Sequence, residues 1–360
     1  MPPDPRPLAE LFRGHFGHRD HLYGELLWHF AADLEAGGPT AQVCRDHLAA
    51  TRADAVQLRL LAGLFRIVLR GDAPQLQPFY PSLGGTEPPT AAWPFVRAAL
   101  AAHVEELRSA LAQAPQTNEP GRAACLAVGL FEAVRRTGCH RVRLLEPGAA
   151  AGLNLHVDRY RVVGPGWSWG PRDSPLTLDT QAAGVRPERM TIVARRGCDL
   201  APVDASSATG AAYLRSFVWP FTLERHERLS AALAVAAAHP VVVDAAPASD
   251  WVRAQLAEPV EPGVVTVVWQ SITEQYWPAD ETAAVREALA RARSRMPLVH
   301  VSMEGVPPPQ GTDGYRIADH GPELRVDGDL IARSHHHGPP VVLTPRIVPR
   351  PDHRDGILGP

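Results

Sequence analysis

The chain has 360 residues, with 36 cationic side chains against 39 acids and a formal charge of −3 at pH 7. That length buries one large core or two smaller ones, and the charge leaves no broad basic surface for non-specific nucleic-acid binding. All 36 cations are arginine, which excludes a Schiff-base lysine, a pyridoxal-phosphate enzyme and the lysine of a phosphate-binding P-loop.

The first hundred residues read as helices. LYGELLWHFAADLE carries apolar residues at helical spacing and stops at Gly37-Gly38; AVQLRLLAGLFRIVLR stops at Gly71. APQLQPFYPSLGGTEPPT reads as a loop without strands, Trp93 to Gln113 as one helix, and the punctuation at 115–121 opens the next. From about residue 141 the pattern changes to short β-branched runs, RVRLLEPG, MTIVARR, HPVVVDAA, VVTVVWQS and PLVHVSME. Among the later ones lie the helical stretches ERLSAALAVAAA, WVRAQLAE and DETAAVREALARARSR. Strands alternating with helices imply a mostly parallel, doubly wound α/β sheet, and ELRVDGDLIARSH adds a C-terminal antiparallel hairpin turned at Asp327-Gly328. The expected organisation is a helical region over 1–115, an α/β core over 116–345 and a mobile tail over 346–360.

The N-terminal MPPDPRPLAELF lacks a signal pattern, and LSAALAVAAAHPVVVDAA is interrupted by His239, Pro240 and Asp244. A cytoplasmic protein without a membrane partner is expected. Cys44, Cys125, Cys139 and Cys198 are widely spaced and read as free thiols. His335-His336-His337 alternate across a strand and cannot easily close on one ion, so no metal is expected. No Gly-x-Ser-x-Gly elbow marks a serine hydrolase.

The most informative segment is LLEPGAAAGLNL, in which a strand ends at Glu146 and small residues turn into a helical pattern. Such a turn serves either close ligand approach at a helix start or packing alone. Glu-x-Gly-x-Ala-x-Gly resembles the first motif of class I, Rossmann-like S-adenosylmethionine-dependent methyltransferases, with Ala150 in place of the central glycine. That resemblance implies a Rossmann-like core, S-adenosylmethionine as cofactor, and a cofactor-binding set of Glu146, Gly148, Ala150, Gly152 and Asn154. The strings FYPSLGG, QTNEPGR, LLEPGAAAGLNL, DRYRV, RRGCDL, SFVWP and VVWQSITEQYW resemble, over nearly the whole chain, a bacterial family of uncharacterised proteins, a domain of unknown function.

The methyltransferase template extends to further residues. Asp199 would bind ribose, with Asp158 as the other candidate and a turn role as the alternative. Asp250 and Trp251 would hold adenine, unless Asp250 caps the helix it precedes. Gln270 lies where the fourth parallel strand opens on the ligand crevice. Asn118 and Glu119, before the helix leading to the first strand, are expected to converge with Glu274 and Tyr276 as the catalytic group, although Asn118 also suits an N-cap. Glu274 is the preferred base, on the reasoning that burial beside Tyr276 and Trp277 raises its pKa. Gly148→Arg is expected to abolish cofactor binding with little effect on stability. The function expected is methyl transfer to a small molecule. The alternatives are a lyase or hydrolase on the same fold and a non-catalytic, ligand-binding regulator; the oligomeric state stays open.

Overall fold

The computed structural model describes residues 4–16, 18–305 and 317–344. Helices in chain order are α1 (Arg6–Arg13), α2 (Leu22–Glu35), α3 (Pro39–Cys44), α4 (Val56–Arg70), α5 (Trp93–Ala102) and α6 (Val104–Leu111). They continue with α7 (Ala123–Thr137), α8 (Ala208–Ser216), α9 (Leu223–Ala238), α10 (Ala248–Ala257), α11 (Ala279–Arg293) and α12 (Ile317–His320). The strands are β1 (Arg141–Pro147), β2 (Arg161–Gly164), β3 (Trp167–Trp169), β4 (Thr177–Asp179), β5 (Thr191–Asp199) and β6 (Val243–Ala245). β7 (Val264–Ser271), β8 (Leu298–Glu304), β9 (Glu323–Val326), β10 (Asp329–His335) and β11 (Gly338–Leu343) complete them. Two compact units share the chain. Of the described residues, the first holds those up to Pro120, Ala149–His156 and Arg196–Pro247; the second holds Gly121–Gly148, Val157–Arg195 and those from Ala248.

The first unit is built on α1–α6, α8 and α9. Leu26, Phe30, Leu60, Phe65, Leu100 and Leu107 are fully buried in one apolar cluster, and Phe65 stacks on Tyr80 at 4.7 Å. The glycine stops act as the sequence implies: Gly38 N–H returns to the Asp33 carbonyl at 2.8 Å beyond α2, and Gly71 takes φ +82° beyond α4. The loop after α4 forms three 3₁₀ turns and no strand. The stretch from Trp93 is two helices instead of one, broken at His103 (φ −122°, ψ 30°). The break turns Leu107, Ala110 and Leu111 onto α4, where a Cβ at Gly63 would stand 2.9 Å from Ala110 Cβ. In this unit the end of β5 pairs in parallel with the short edge strand β6.

The second unit carries a sheet in the order β11-β10-β9-β8-β7-β1-β5. β1, β7 and β8 run parallel, and β8, β9, β10 and β11 form antiparallel pairs. The hairpin turns at Asp327 (φ +51°) and Gly328 (φ +90°), as the Asp-Gly pair predicts. Helix α7, buried from Ala123 to Val134, covers one face, and the side chain that Gly129 lacks makes room for Val301. α10 and α11 lie on the other face, where Arg143 of β1 donates to the Gln255 carbonyl at 2.8 Å. The stretch DRYRVVGPGWSWGPRDSPL contributes β2 and β3 to a second sheet, β3-β2-β4, whose Trp169 packs edge-on to Phe131 at 5.5 Å. The expected tail lies outside the described residues. Among the described residues no helix is long and apolar enough to cross a membrane.

Candidate functional site

The turn after β1 is held from inside the first unit. Ala150 has φ +51°, a conformation that costs an L-residue about 1 kcal/mol. Three bonds hold it there: Ala150 N–H donates to Asp199 Oδ2 at 2.9 Å, Val203 N–H to the Ala150 carbonyl at 3.1 Å, and Ala149 N–H to the Cys198 carbonyl at 2.9 Å. Asp199 Oδ1 accepts from Gln116 Nε2 at 2.9 Å and from Ala201 N at 3.0 Å. Asn118 does not cap its own helix; its Oδ1 accepts from Leu153 N at 3.0 Å and Ala151 N at 3.3 Å, occupying the amides of the turn itself. Gly152 (φ +71°) lets Val241 and Val243 close in, 2.9 and 3.0 Å from where a Cβ would stand.

Two acceptors beside this turn have no hydrogen-bond partner among the described residues. Asn154 Oδ1 and Gln116 Oε1 are both buried, and neither meets a donor. A buried orphan acceptor costs about 1–3 kcal/mol unless water or a ligand meets it. A cavity of about 430 Å³ opens in the same unit, walled by Ala151, Pro202, Val203, Ala236 and Val241–Val243, with Asp204 and Ser206 on its lining.

Several expected site residues have other roles. Glu119 is 2% exposed and clamped by Arg225 Nε at 2.7 Å and Arg228 Nη1 at 2.9 Å, so it is the anion of a buried ion triad. Asp158 is held bidentately by Arg195 at 2.6 and 2.8 Å. Glu146 is buried at the end of β1. Gly148 (φ +74°) is filled from within the second unit: a Cβ there would overlap Thr273, so Gly148→Arg is a destabilising change and not the neutral one expected. Trp251 is 5% exposed, packed away as core and offering no open stacking face, while Asp250 is exposed and pairs with Arg253 at 3.0 Å. The capping of α10 falls to Glu281, which accepts from Ser249 N and Oγ at 2.8 and 2.6 Å.

In the second unit β8 presents Val299, Val301 and Met303 to α7, and His300, Ser302 and Glu304 to the other face. That polar alternation was legible in PLVHVSME and is the signal that sequence reading passed over. A cleft of about 620 Å³ lies over it, lined also by Glu274, Arg286, Arg293, Glu323, Arg325 and Asp327. Gln270 fastens its floor: Oε1 meets His300 Nε2 at 3.0 Å, and Nε2 donates to Glu274 Oε2 at 3.1 Å and Glu304 Oε1 at 3.2 Å. The Thr273 and Glu274 amides also point at Glu304, at 3.2 and 3.3 Å. Burial pushes the Glu304 carboxyl up to about 7 and the His300 imidazole down to about 4. The preferred base, Glu274, is instead paired with Arg286, and Tyr276 beside it is 53% exposed, so the burial argued for Glu274 belongs to Glu304.

Ligand atoms of His18, Asp20 and His21 lie within 4.8 Å of one another, a surface trio whose spacing the sequence reading did not single out. No curated protein and no solved structure matches the chain. A family model does match, over residues 14–342, under the description "Uncharacterized protein conserved in bacteria (DUF2332)". With its glycine turn, its β8 cleft and nearly all of its described fold inside that match, the chain belongs to this bacterial family.

Proposed function

We propose that the chain binds S-adenosylmethionine beside the Ala149–Asn154 turn and transfers its methyl group to a small-molecule acceptor. The observation that carries this reading is the pair of orphan acceptors, Asn154 Oδ1 and Gln116 Oε1, beside a turn whose amides at Ala150, Ala151 and Leu153 are already taken. Open acceptors suit the donors of the cofactor, an ammonium and two ribose hydroxyls, and do not suit a phosphate. The 430 Å³ cavity falls within the usual range for small-molecule sites, about 300–1,000 Å³.

The cofactor's own sulfonium supplies the activated methyl group. This chain's residues would bind and orient. Asn154 and Gln116 accept from the polar end, the Val241–Val243 and Ala151 walls exclude water from the apolar parts, and Asp199 and Asn118 hold the turn rigid so that neither acceptor moves. Calorimetric titration with S-adenosylmethionine and S-adenosylhomocysteine tests the reading on the wild type and on Asn154→Ala. A hydrogen bond from a charged donor is worth about 1.5–3 kcal/mol, so the variant should bind about 10- to 100-fold more weakly while its melting temperature holds or rises. Equal affinity in the two proteins, or no binding to either, would return Asn154 to a packing role.

A further inference from the structure

The cleft over β8 and β9 contains four carboxylates, Glu274, Glu304, Glu323 and Asp327, and three guanidinium groups, Arg286, Arg293 and Arg325. Each guanidinium has its own acid: Arg286 with Glu274, Arg293 with Asp327, and Arg325 with Glu323. Glu323 also receives Arg333 of β10, which lies outside the lining, so among the described residues Glu304 is the one cleft acid that no guanidinium contacts. Its Oε1 takes Gln270, Thr273 N and Glu274 N, whereas Oε2 takes Thr273 N alone at 3.2 Å. The Gln270 amide nitrogen already bridges Glu274 and Glu304, so these two carboxylates stand close enough to share one N–H donor. Ser302 lies on the same strand face, two residues before Glu304.

We propose that this cleft binds a small molecule carrying a protonated primary amine, with Glu304 as its carboxylate partner and Gln270 as the residue that positions that carboxylate. The proposal goes beyond the cofactor reading and does not rest on it. An ammonium gives Glu304 the cation that none of these arginines provides and lowers the cost of ionising it beside Glu274. Binding therefore releases a proton near neutral pH. The groups that face Glu304 from neighbouring elements do not supply that charge. Burial keeps His300 neutral above pH 6, and burial depresses His336, whose ring comes near Gly305, in the same direction. The arginines of α11, β9 and β10 are paired with Glu274, Asp327 and Glu323.

The test is calorimetric titration of the full chain with 1,4-diaminobutane and with ethanolamine, sodium acetate serving as the anionic control. It is run at pH 6, 7 and 8 in two amine-free buffers of different ionisation enthalpy. With the Glu304 carboxyl near 7, affinity should be about tenfold higher at pH 8 than at pH 6, and a fraction of a proton should be released per site at pH 7. Glu304→Gln should lose at least about tenfold in affinity together with the pH dependence. No amine binding in the millimolar range, an affinity flat across the three pH values, equal binding by Glu304→Gln, or binding of acetate in place of the amines would overturn the proposal. Should Glu304→Gln fail to fold, proton release by the wild type decides alone, and its absence overturns the proposal.

Discussion

Replacing Glu119 with alanine separates an ion-triad role from a catalytic one. Its carboxylate is 2% exposed and receives Arg225 at 2.7 Å and Arg228 at 2.9 Å. Arg225 is itself buried; its Nε meets Glu119, and its Nη2 has no hydrogen-bond partner among the described residues. Removing Glu119 therefore strands a buried guanidinium, which costs about 3–5 kcal/mol. Arg228 is about a quarter exposed, and losing its pairing adds at most about 1 kcal/mol. For a chain of this size that corresponds to a fall in the thermal midpoint of roughly 5–15 °C. Differential scanning calorimetry of Glu119→Ala, Arg225→Met and the Glu119→Leu/Arg225→Met double variant makes the comparison. Deleting both charges should recover most of the loss, because no ion is left buried alone. A midpoint unchanged in Glu119→Ala, or a double variant worse than both singles, would refute the triad and return Glu119 to the catalytic set.

Gly148→Ala should cost about 2–4 kcal/mol, since φ is +74° and the new methyl meets Thr273; chemical denaturation should show Thr273→Ala recovering part of it, and two strictly additive effects would contradict the overlap. Asp199→Asn should lower the midpoint by a few degrees through loss of a charged acceptor for Ala150 N; an unchanged midpoint would mean that the turn holds without it. Glu304 has a folded pKa raised above its unfolded value, so its contribution to stability is full below about pH 4.5 and is lost as pH rises through 7. His226 and His300 are depressed by burial to about 4, so theirs is present above about pH 6.5 and lost as pH falls through 4. Measured against wild type, Glu304→Gln should therefore gain about 1–3 kcal/mol between pH 5 and pH 8, and a pH-independent difference would count against the shift.

The elements that sequence reading places well have local causes. Val142, Leu144 and Leu145 make β1 a buried run, Gly38 and Gly71 stop helices within one turn, and Asp327-Gly328 sets its hairpin by its own dihedral preferences. The roles that it misplaces depend on distant partners. Asn118 suits a cap by residue type, but the amides it caps lie 33 and 35 residues on, and Glu119 finds its arginines more than 100 residues away. No window of sequence contains those pairs. The β3-β2-β4 sheet escapes because its strands are only three or four residues long, and β6 is shorter than HPVVVDAA implies because Val242 stays 54% exposed at an edge. Glu304 was within reach, since His300, Ser302 and Glu304 recur with the period of a strand.

Hydrogen–deuterium exchange of the full chain, with and without saturating S-adenosylhomocysteine, tests the central claim most directly. The demethylated product carries the same ammonium and ribose donors, so it should slow exchange at residues 149–154, 199–206 and 241–243, which form the turn and the cavity walls. Exchange around β8 should stay as it was. No protection anywhere, or protection confined to residues 264–305, would contradict the placement of the cofactor at the turn.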